Sequence, residues 1–473
     1  FMHNSPWLLA LFLATAMDRL VYCPINVGSR RDDLSYFIRD IEPFAAFVDE
    51  ALAAVFQSAS LEGLTARRIL LGDASRSSPL IHFEQWLESV VEPLSDSVIE
   101  PSDPLCIMYS GGTTGLPKGI VMPQFAPVAA ALRFNGIAKF KHRENFFTTL
   151  QLSHAWTPLL VLPFCLYYGH VFCFWKWWSA TGFVAWSRKF DASLVDPFIG
   201  MIATLLQTPE TNDDRFLQSA RLIGGLGGAD PVAMRIRAEF EKRFGATTFD
   251  LYGFTEITGL AAVETEYHAR KPGSSGQLTG WYEVAAVDAH DVPLPAHETG
   301  ELVLRPRVPH TVGLGYHRKP DVTVATWRNL WIHTGDLGYF DDDGYLFFVG
   351  RKNHFLRRRG ELISAAEIES VIMGAPGIVE AAVTAAKSAF GEDEVRVFVV
   401  TRAEKFDPQD LVDYCSERIA SFKVPRYVDV MPALPRSGTK REIERFRLQD
   451  RDLALAWDHE QHGRRAGEAR RKR

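Results

Sequence analysis

Residues 109–119, with the sequence YSGGTTGLPKG, combine the residue types that bind phosphate. Four glycines leave room for backbone N–H groups to approach an oxyanion, and the serine and two threonines can donate further hydrogen bonds. Lys118 adds a positive charge, and the apolar residues 105–109 predict a strand leading into this loop. Because Pro117 and Gly119 flank Lys118, no helix with a Mg²⁺-binding hydroxyl begins there, which argues against a P-loop. A glycine-rich surface loop without a ligand is the alternative.

Two polar groups follow other candidate strands. Thr255 and Glu256 come after the strand-like residues 247–251, and a hydroxyl beside a carboxylate at a strand end can hold phosphate-bound Mg²⁺, which prefers oxygen ligands. Asp336, within Thr-Gly-Asp, can accept hydrogen bonds from both hydroxyls of a ribose. The glycine-dense residues 224–231 permit close approach of the backbone to a flat ligand, although a βα turn has the same pattern.

The composition restricts the class of protein. A chain of 473 residues, 47% hydrophobic and 23% charged, is ordinary for a globular protein of about two to four domains. The net charge of −6 gives no indication of nucleic acid as a partner. Five cysteines without a CxxC pair favour reduced thiols and a cytoplasmic location. The apolar residues 7–14 and 157–168 are shorter than the ~20 residues of a membrane span, so no transmembrane segment is expected.

Alternating patterns predict the fold class. Residues 40–250 alternate short apolar runs with helical stretches, which predicts βα units and a mostly parallel sheet. We predict an α/β protein with a large N-terminal domain of layered αβ subdomains plus a β-rich subdomain, and a small mobile α+β C-terminal domain. The predicted bounds are 1–352 and 353–450, followed by a basic tail at 451–473. The candidate strands include residues 21–26, 69–71, 107–108, 146–147, 171–174 and 221–223.

The order of these motifs resembles that of the adenylate-forming superfamily, which includes acyl-CoA synthetases, luciferases and peptide-synthetase adenylation domains. The resemblance implies that the first loop holds the β- and γ-phosphates of ATP, that Thr255 contacts the α-phosphate, and that Glu256 binds Mg²⁺. The implied nucleotide-binding residues are Ser110, Gly111, Gly112, Thr113, Thr114, Gly115 and Lys118 at the phosphates, Gly227, Gly228, Ala229, Tyr252 and Gly253 at the adenine, and Asp336 and Arg351 at the ribose. The resemblance also implies that several dozen residues usual at the start of the first domain are absent here.

Other parts of the resemblance concern the acyl group and CoA. His154 matches the aromatic or histidine gate beside the acyl pocket, with an ordinary structural histidine as the alternative. Residues 353–354 fall at the interdomain hinge of the family. The three arginines of residues 357–359 resemble the loop that reaches the site for thioester formation, particularly in carnitine/crotonobetaine-type acyl-CoA ligases. Arg358 and Gly360 are thereby implied at the 3′-phosphate of CoA, and a solvated basic loop is the alternative.

The family's C-terminal motif carries a lysine that stabilises charge as the substrate carboxylate attacks the α-phosphate. Here that motif reads LPRSGTKREIER from Leu434 onward. Aligned from its start, Lys440 stands one residue early, whereas aligned from its end, Glu442 occupies the lysine position. Lys440 is the candidate catalytic residue, with Arg441 as a substitute, because a carboxylate cannot neutralise developing negative charge.

The predicted function is that of an ATP-dependent acid–CoA ligase, which forms an acyl-adenylate and transfers the acyl group to CoA, using ATP, Mg²⁺ and CoA. The alternatives are an adenylating enzyme that does not use CoA, and a catalytically impaired homologue that binds nucleotide or acyl groups. The substrate is a small carboxylic acid. Trp175, Trp177 and Trp178 would suit a cationic trimethylammonium group through cation–π contact, with aromatic packing as the alternative.

Overall fold

The structure is a computed structural model that describes residues 1–29, 31–59, 67–71, 81–88, 98–110, 117–352, 355–358, 361–387, 393–403, 405–419, 423–436 and 443–462. The first helix begins after Ser5, whose hydroxyl accepts a hydrogen bond from the N–H of Leu8 at 3.2 Å. Nearby lies a parallel three-stranded sheet in the order β1-β2-β3. The elements of this part are α1 Pro6–Met17, α2 Arg31–Ile41, β1 Ala45–Asp49, α3 Ala53–Gln57, β2 Arg67–Leu71, β3 Ile81–His82 and α4 Phe83–Glu88.

Strands β4 (Pro104–Ser110) and β5 (Lys118–Pro123) form the antiparallel hairpin that closes the predicted phosphate loop. Ser110 pairs with Lys118 in this hairpin, so the two ends of the loop lie side by side. The sequence pattern counted residues 107–108 among the strands of the parallel sheet, and that prediction is wrong. They belong to a separate sheet because the loop that follows them is too short for the crossover that parallel strands require.

The strand predicted within residues 21–26, ending at the proline, is reduced to a single bridge in the structure. Only Tyr22 pairs there, in an isolated bridge with Cys106. Pro24 lacks the backbone N–H that a continued ladder would need, which explains why the pairing stops.

A seven-stranded sheet forms the centre of the large N-terminal part, in the order β12-β11-β10-β9-β8-β6-β7. The five strands from β6 to β10 are parallel, as predicted, and the last two join at one edge in antiparallel fashion. Fully buried aromatic rings such as Phe134, Phe146 and Phe164 fill the core beside it. The elements are α5 Ala126–Asn135, β6 Asn145–Thr148, α6 Leu162–Tyr168, β7 Val171–Phe174, α7 Phe183–Lys189, β8 Leu194–Val195, α8 Ile199–Leu206, β9 Arg221–Gly224, α9 Pro231–Phe244, β10 Thr247–Tyr252, β11 Ala262–Val263 and β12 Gln277–Leu278.

The start and the end of helix α9 are explained by its capping residues. The carboxylate of Asp230 caps its first turn by accepting hydrogen bonds from Val232 N at 2.8 Å and Ala233 N at 3.2 Å. Pro231 occupies the first helical position, and Gly245 ends the helix in a left-handed conformation. These caps hold the preceding glycine-rich loop at the carboxyl end of β9.

A five-stranded antiparallel sheet, with β17 at its centre, follows the large sheet. Strand β15 leaves this region and pairs with β5, which brings it beside the phosphate hairpin. The elements are β13 Tyr282–Val287, β14 Gly300–Pro306, β15 Gly315–Tyr316, α10 Pro320–Thr326, β16 Trp327–Arg328, β17 Trp331–Phe340 and β18 Leu346–Arg351. Among the described helices of the chain, none is long and apolar enough to cross a membrane.

The C-terminal part has a four-stranded sheet and a hydrophobic core of its own, which includes Leu356, Ile368, Val397 and Val428. Its elements are β19 Phe355–Arg358, β20 Glu361–Ser364, α11 Ala365–Ile372, β21 Ile378–Lys387, β22 Asp393–Thr401, α12 Pro408–Ser416, β23 Tyr427–Val430, α13 Arg445–Gln449 and β24 Trp457–Asp458. All five cysteines of the chain are free thiols. The domain bounds given above stay a prediction.

Candidate functional site

The predicted ribose carboxylate, Asp336, is buried between two other predicted site residues. Strand β17 places it opposite Arg351 of β18, whose Nε lies 2.8 Å from Asp336 Oδ1. The hydroxyl of Tyr252, at the end of β10, donates to Asp336 Oδ2 at 2.8 Å. Burial raises the pKa of the Asp336 carboxyl, while the charge of Arg351 acts in the opposite direction. The fold therefore assembles a carboxylate with a cation and a phenol from three strands.

The turn after β10 carries Thr255 and Glu256. A side chain at residue 253 would place its Cβ 1.1 Å from the carbonyl oxygen of Gly259, so only glycine permits this close approach. Thr255–Ile257 form a single 3₁₀ turn, which ends at Thr258 in a left-handed conformation with φ of 53°. This compact turn presents Thr255 and Glu256 next to each other at the sheet edge.

Glu256 has the surroundings of a metal ligand. Its side chain is buried, with 8% of the residue exposed, and Oε1 accepts a hydrogen bond from the hydroxyl of Tyr316 at 2.7 Å. Within the described part of the chain, no lysine or arginine forms an ion pair with this carboxylate, and no cluster of three or more metal-binding side chains occurs. A buried carboxylate without a protein cation fits Mg²⁺, which keeps several water and phosphate ligands. Glu256 is thus a residue that could hold such an ion, and its role as a metal ligand stays a prediction.

Tyr316 is a site residue that the sequence reasoning missed. Strand β15 pairs with β5 and sets Tyr316 between the carboxylate of Glu256 and the ammonium of Lys118, which lies 5.8 Å from the centre of the tyrosine ring. Burial raises the pKa of the Tyr316 hydroxyl, and the negative charge of Glu256 raises it further. No local pattern could have identified this residue, because its partners are distant in the sequence.

The second glycine-rich loop is held by Asp250, another residue that the sequence reasoning missed. The Asp250 carboxylate accepts hydrogen bonds from Leu226 N at 2.6 Å and Gly228 N at 2.9 Å, and burial raises its pKa to about 6. Gly227 and Gly228 both have positive φ, of 97° and 56°. Ala229 N donates to the carbonyl of Phe348 at 2.9 Å. The loop predicted for adenine is therefore fixed to the strand that carries Arg351.

The ring of Phe348 also lies 5.6 Å from the ring of Tyr252, centre to centre. Gly228 leaves no room for a side chain, because a Cβ there would lie 2.9 Å from the carbonyl oxygen of Phe348. Tyr252, Gly228 and Ala229, predicted at the adenine, are consequently neighbours around one phenylalanine.

His154 lies in an aromatic cluster. Its ring is 5.7 Å from that of Phe198, which is also 5.7 Å from Trp156. The indole of Trp156 donates to the buried carboxylate of Asp196 at 2.9 Å, and burial raises the pKa of Asp196 to about 7. Phe198 packs against Gly225, and Trp156 packs against Gly259. These contacts place the aromatic cluster of His154 between the two glycine-containing turns of the site. The predicted position of His154 beside the acyl pocket stays a prediction.

The tryptophans proposed for a cationic ligand have packing partners. Trp175 stacks on Trp186 with ring centres 4.7 Å apart, and Trp178 donates its indole N–H to Thr204 Oγ1 at 3.1 Å. Trp177 is 51% exposed. This arrangement favours aromatic packing over a shared cation site.

Helix α2 holds both ends of the phosphate loop. Its Asp40 accepts a hydrogen bond from the hydroxyl of Tyr109 at 2.5 Å and pairs with Lys319 Nζ at 3.0 Å. The hydroxyl of Tyr36, one turn earlier, donates to the carbonyl of Pro117 at 2.6 Å. Tyr109 precedes the loop and Pro117 follows it, so the helix links the two sides.

Asp40→Ala is expected to raise the KM for ATP about tenfold, because it removes a partly buried acceptor and leaves the Lys319 charge without it. ATP–pyrophosphate exchange at varied ATP and varied acid measures the effect. Glu42→Ala is the matched control, since its partner Arg318 is half exposed and such pairs contribute little. An equal rise in the KM for the acid would contradict a specific role at the phosphate loop.

Several predicted site residues lie outside the described residues or have only their backbone described. Gly111, Gly112, Thr113, Thr114, Gly115, Gly360 and Lys440 belong to the first group. Ser110 and Arg358 belong to the second, at the ends of β4 and β19. Their roles stay predictions.

Comparisons with known proteins identify the family and the fold. The AMP-binding enzyme family matches residues 1–317, and the AMP-binding enzyme C-terminal domain matches residues 367–441. The crotonobetaine/carnitine–CoA ligase of Salmonella arizonae is 26% identical over 451 residues, which cover 93% of this chain and 86% of that protein. ATP-bound MatB from Rhodopseudomonas palustris superposes with a TM-score of 0.83 at 23% identity, covering 95% of this chain and 87% of its own.

A second solved structure shares the fold. O-succinylbenzoate coenzyme A synthetase from Bacillus subtilis, in complex with ATP and magnesium ion, superposes with a TM-score of 0.78 at 21% identity. The superposition covers 95% of this chain and 88% of that one. At such identities the two structures establish a common fold.

Proposed function

This chain belongs to the AMP-binding enzyme family, and on that premise we propose that it is an ATP-dependent, AMP-forming acid–CoA ligase. In the first step, the carboxylate of the acid displaces pyrophosphate from the α-phosphate of ATP and forms an acyl-adenylate. In the second step, the thiol of CoA displaces AMP from the acyl carbon. The observation that carries this proposal is the convergence of Tyr252, Asp336 and Arg351 beside the turn that carries Glu256.

The described residues have separate roles in this proposal. Asp336 accepts hydrogen bonds from the ribose hydroxyls, and the charge of Arg351 opposes the rise that burial causes in the pKa of that carboxyl. Tyr252 flanks the adenine, and Thr255 donates to the α-phosphate. Glu256 would hold Mg²⁺, which would supply positive charge to neutralise the phosphates. Positioning and charge supply most of the rate, because phosphoryl chemistry needs little covalent help.

The remaining roles fall on the C-terminal part of the chain, at positions that lie mostly outside the described residues. We assign Lys440 to the first step and residues 357–360 to CoA, and place the boundary of the small domain near residue 352. The separate hydrophobic core of the C-terminal part supports a unit that moves as a whole. Free thiols at all five cysteines are compatible with a cytoplasmic location.

ATP–pyrophosphate exchange across a panel of carboxylic acids tests the first step. The panel includes crotonobetaine and crotonate, which share an acyl skeleton and differ in the trimethylammonium group, together with carnitine, benzoate and malonate. We expect exchange with at least one acid, and CoA-dependent release of AMP with the same acid. Exchange without CoA-dependent release would favour an adenylating enzyme with another acceptor. If a protein with a cooperative thermal transition shows no exchange with any acid, the proposed ligase activity is contradicted.

A further inference from the structure

Arg133 of helix α5 is a buried arginine without an acidic partner among the described residues. It is 3% exposed, and no aspartate or glutamate of the described chain forms an ion pair with it. Its Nε and Nη1 have no hydrogen-bond partner in that same part of the structure. The rings of Trp281 and Tyr282 lie 5.6 and 5.2 Å from its guanidinium carbon instead. Aromatic faces stabilise the charge only in part.

Such an arrangement is unfavourable for folding by itself. Burial lowers the pKa of Arg133, but a guanidinium remains protonated at neutral pH. A charge taken from water without a carboxylate destabilises the folded state, and an apolar side chain of similar length would fill the same volume. The residue therefore points to a role other than packing.

Within the described residues, the side-chain hydrogen bonds of Arg133 both go to the turn that carries Glu256. Its Nη2 donates to the carbonyl of Ile257 at 3.1 Å and to Thr258 Oγ1 at 2.7 Å. The hydroxyl of Tyr282 donates to the same Ile257 carbonyl at 3.0 Å. Arg133 thus binds the end of the 3₁₀ turn whose first two residues are Thr255 and Glu256.

Thr258 is held in a conformation that a threonine rarely adopts. Its φ of 53° lies in the left-handed region, where a β-branched side chain is strained. Strained residues of this kind persist only where the surrounding contacts fix their backbone conformation, and they cluster at functional sites. The two hydrogen bonds from Arg133 contribute to holding Thr258 and Ile257 in place, together with the bond from Tyr282 to the Ile257 carbonyl and the bond from Thr258 N to the Thr255 carbonyl.

We propose that Arg133 is a positioning residue for adenylation, which acts through the 255–258 turn to set Thr255 and Glu256 for the α-phosphate and Mg²⁺. The inference rests on the proposed function. It predicts that loss of the guanidinium changes the dependence of the rate on Mg²⁺ and ATP more than it changes the KM for the acid.

Arg133→Met keeps the length of the side chain and removes its charge and donors. We expect it to lower the kcat of ATP–pyrophosphate exchange by about 10–100-fold, as for other residues that orient metal ligands, and to raise the Mg²⁺ concentration needed for half-maximal rate. Arg133→Lys keeps a charge and a donor, so its kcat and its half-maximal Mg²⁺ concentration should lie between those of Arg133→Met and those of the natural chain. In a Thr258→Gly background the loss caused by Arg133→Met should be smaller, because glycine adopts positive φ without strain.

Arg243→Met is the matched control. The side chain of Arg243 is also largely buried, at 9% exposed, but it pairs with Asp214 at 2.8 Å at the far end of α9. Among the described residues, its hydrogen-bond partners all lie outside the site. It should lower the thermal midpoint and leave the Mg²⁺ dependence as in the natural chain.

Two results would overturn the inference. One is an Arg133→Met protein with a lower thermal midpoint but an unchanged kcat and Mg²⁺ dependence. The other is an equal loss in the natural and Thr258→Gly backgrounds. If Arg133→Met does not fold, the same criteria apply to Arg133→Lys. If the natural chain shows no exchange with any acid, the proposed function fails separately, and calorimetric titration of ATP at varied Mg²⁺ still compares the variants.

Discussion

Replacing Glu256 with glutamine is expected to lower ATP–pyrophosphate exchange by at least about 100-fold, because metal-assisted charge stabilisation is worth several kcal/mol and each ~1.4 kcal/mol is tenfold in rate. Glutamine has nearly the same shape and can still accept the hydrogen bond from Tyr316. It lacks the negative charge that attracts a divalent cation. The half-saturating Mg²⁺ concentration should therefore rise together with the loss in rate.

Tyr316→Phe is the comparison that separates charge from orientation. It removes only the hydroxyl that donates to Glu256 and keeps the ring beside Lys118. Loss of a hydrogen bond to a metal ligand typically costs about 10–100-fold in affinity or activity, so a smaller effect than that of Glu256→Gln is expected. Similar losses in both variants, with an unchanged Mg²⁺ dependence, would show that Glu256 acts in folding rather than in metal binding. Thermal midpoints measured in parallel monitor the fold.

Asp336→Ala is expected to weaken binding of Mg²⁺·ATP by about 100-fold or more, because hydrogen bonds to a charged group contribute about 1.5–3 kcal/mol each. The variant also leaves the Tyr252 hydroxyl and the Arg351 guanidinium without their described carboxylate. Calorimetric titration with ATP measures the loss.

Deoxynucleotides make the Asp336 test specific for ribose. The natural chain should bind 2′-deoxy-ATP and 3′-deoxy-ATP more weakly than ATP, whereas Asp336→Ala should bind all three equally weakly. Asp336→Asn keeps one acceptor and should retain part of the discrimination. Persistent discrimination in Asp336→Ala would mean that another group reads the ribose. Arg305→Met is a suitable control on the same sheet, since Arg305 pairs with Glu283 near the surface.

The proximity of several candidate site residues could be predicted because their motifs are local. Gly253, Thr255 and Glu256 follow one strand directly, and the strand end together with the close approach at Gly259 dictates their arrangement. Asp336 and Arg351 are likewise carried by adjacent strands that a short turn connects. The residues of such a motif are close in the sequence, so the local backbone fixes their relative positions. The residue types are then sufficient to indicate the chemistry.

Strand pairing was harder to predict. The apolar pattern identified residues 107–108 as a strand, but it contained no information on the partner, and the structure pairs them with β5 in an antiparallel hairpin. Residues 21–26 have strand-like composition, yet a ladder needs a donor at each step and Pro24 has none.

By itself, the sequence determined the family and the order of the motifs, and it predicted the residues for the nucleotide, because these depend on side-chain chemistry beside a strand end. Only the tertiary structure decided which residues hold them. Asp40 reaches Tyr109 across 69 positions, Tyr316 reaches Glu256 across 60, and Arg133 reaches Thr258 across 125. Such contacts follow from the packing of whole elements, and no spacing in the sequence encodes them.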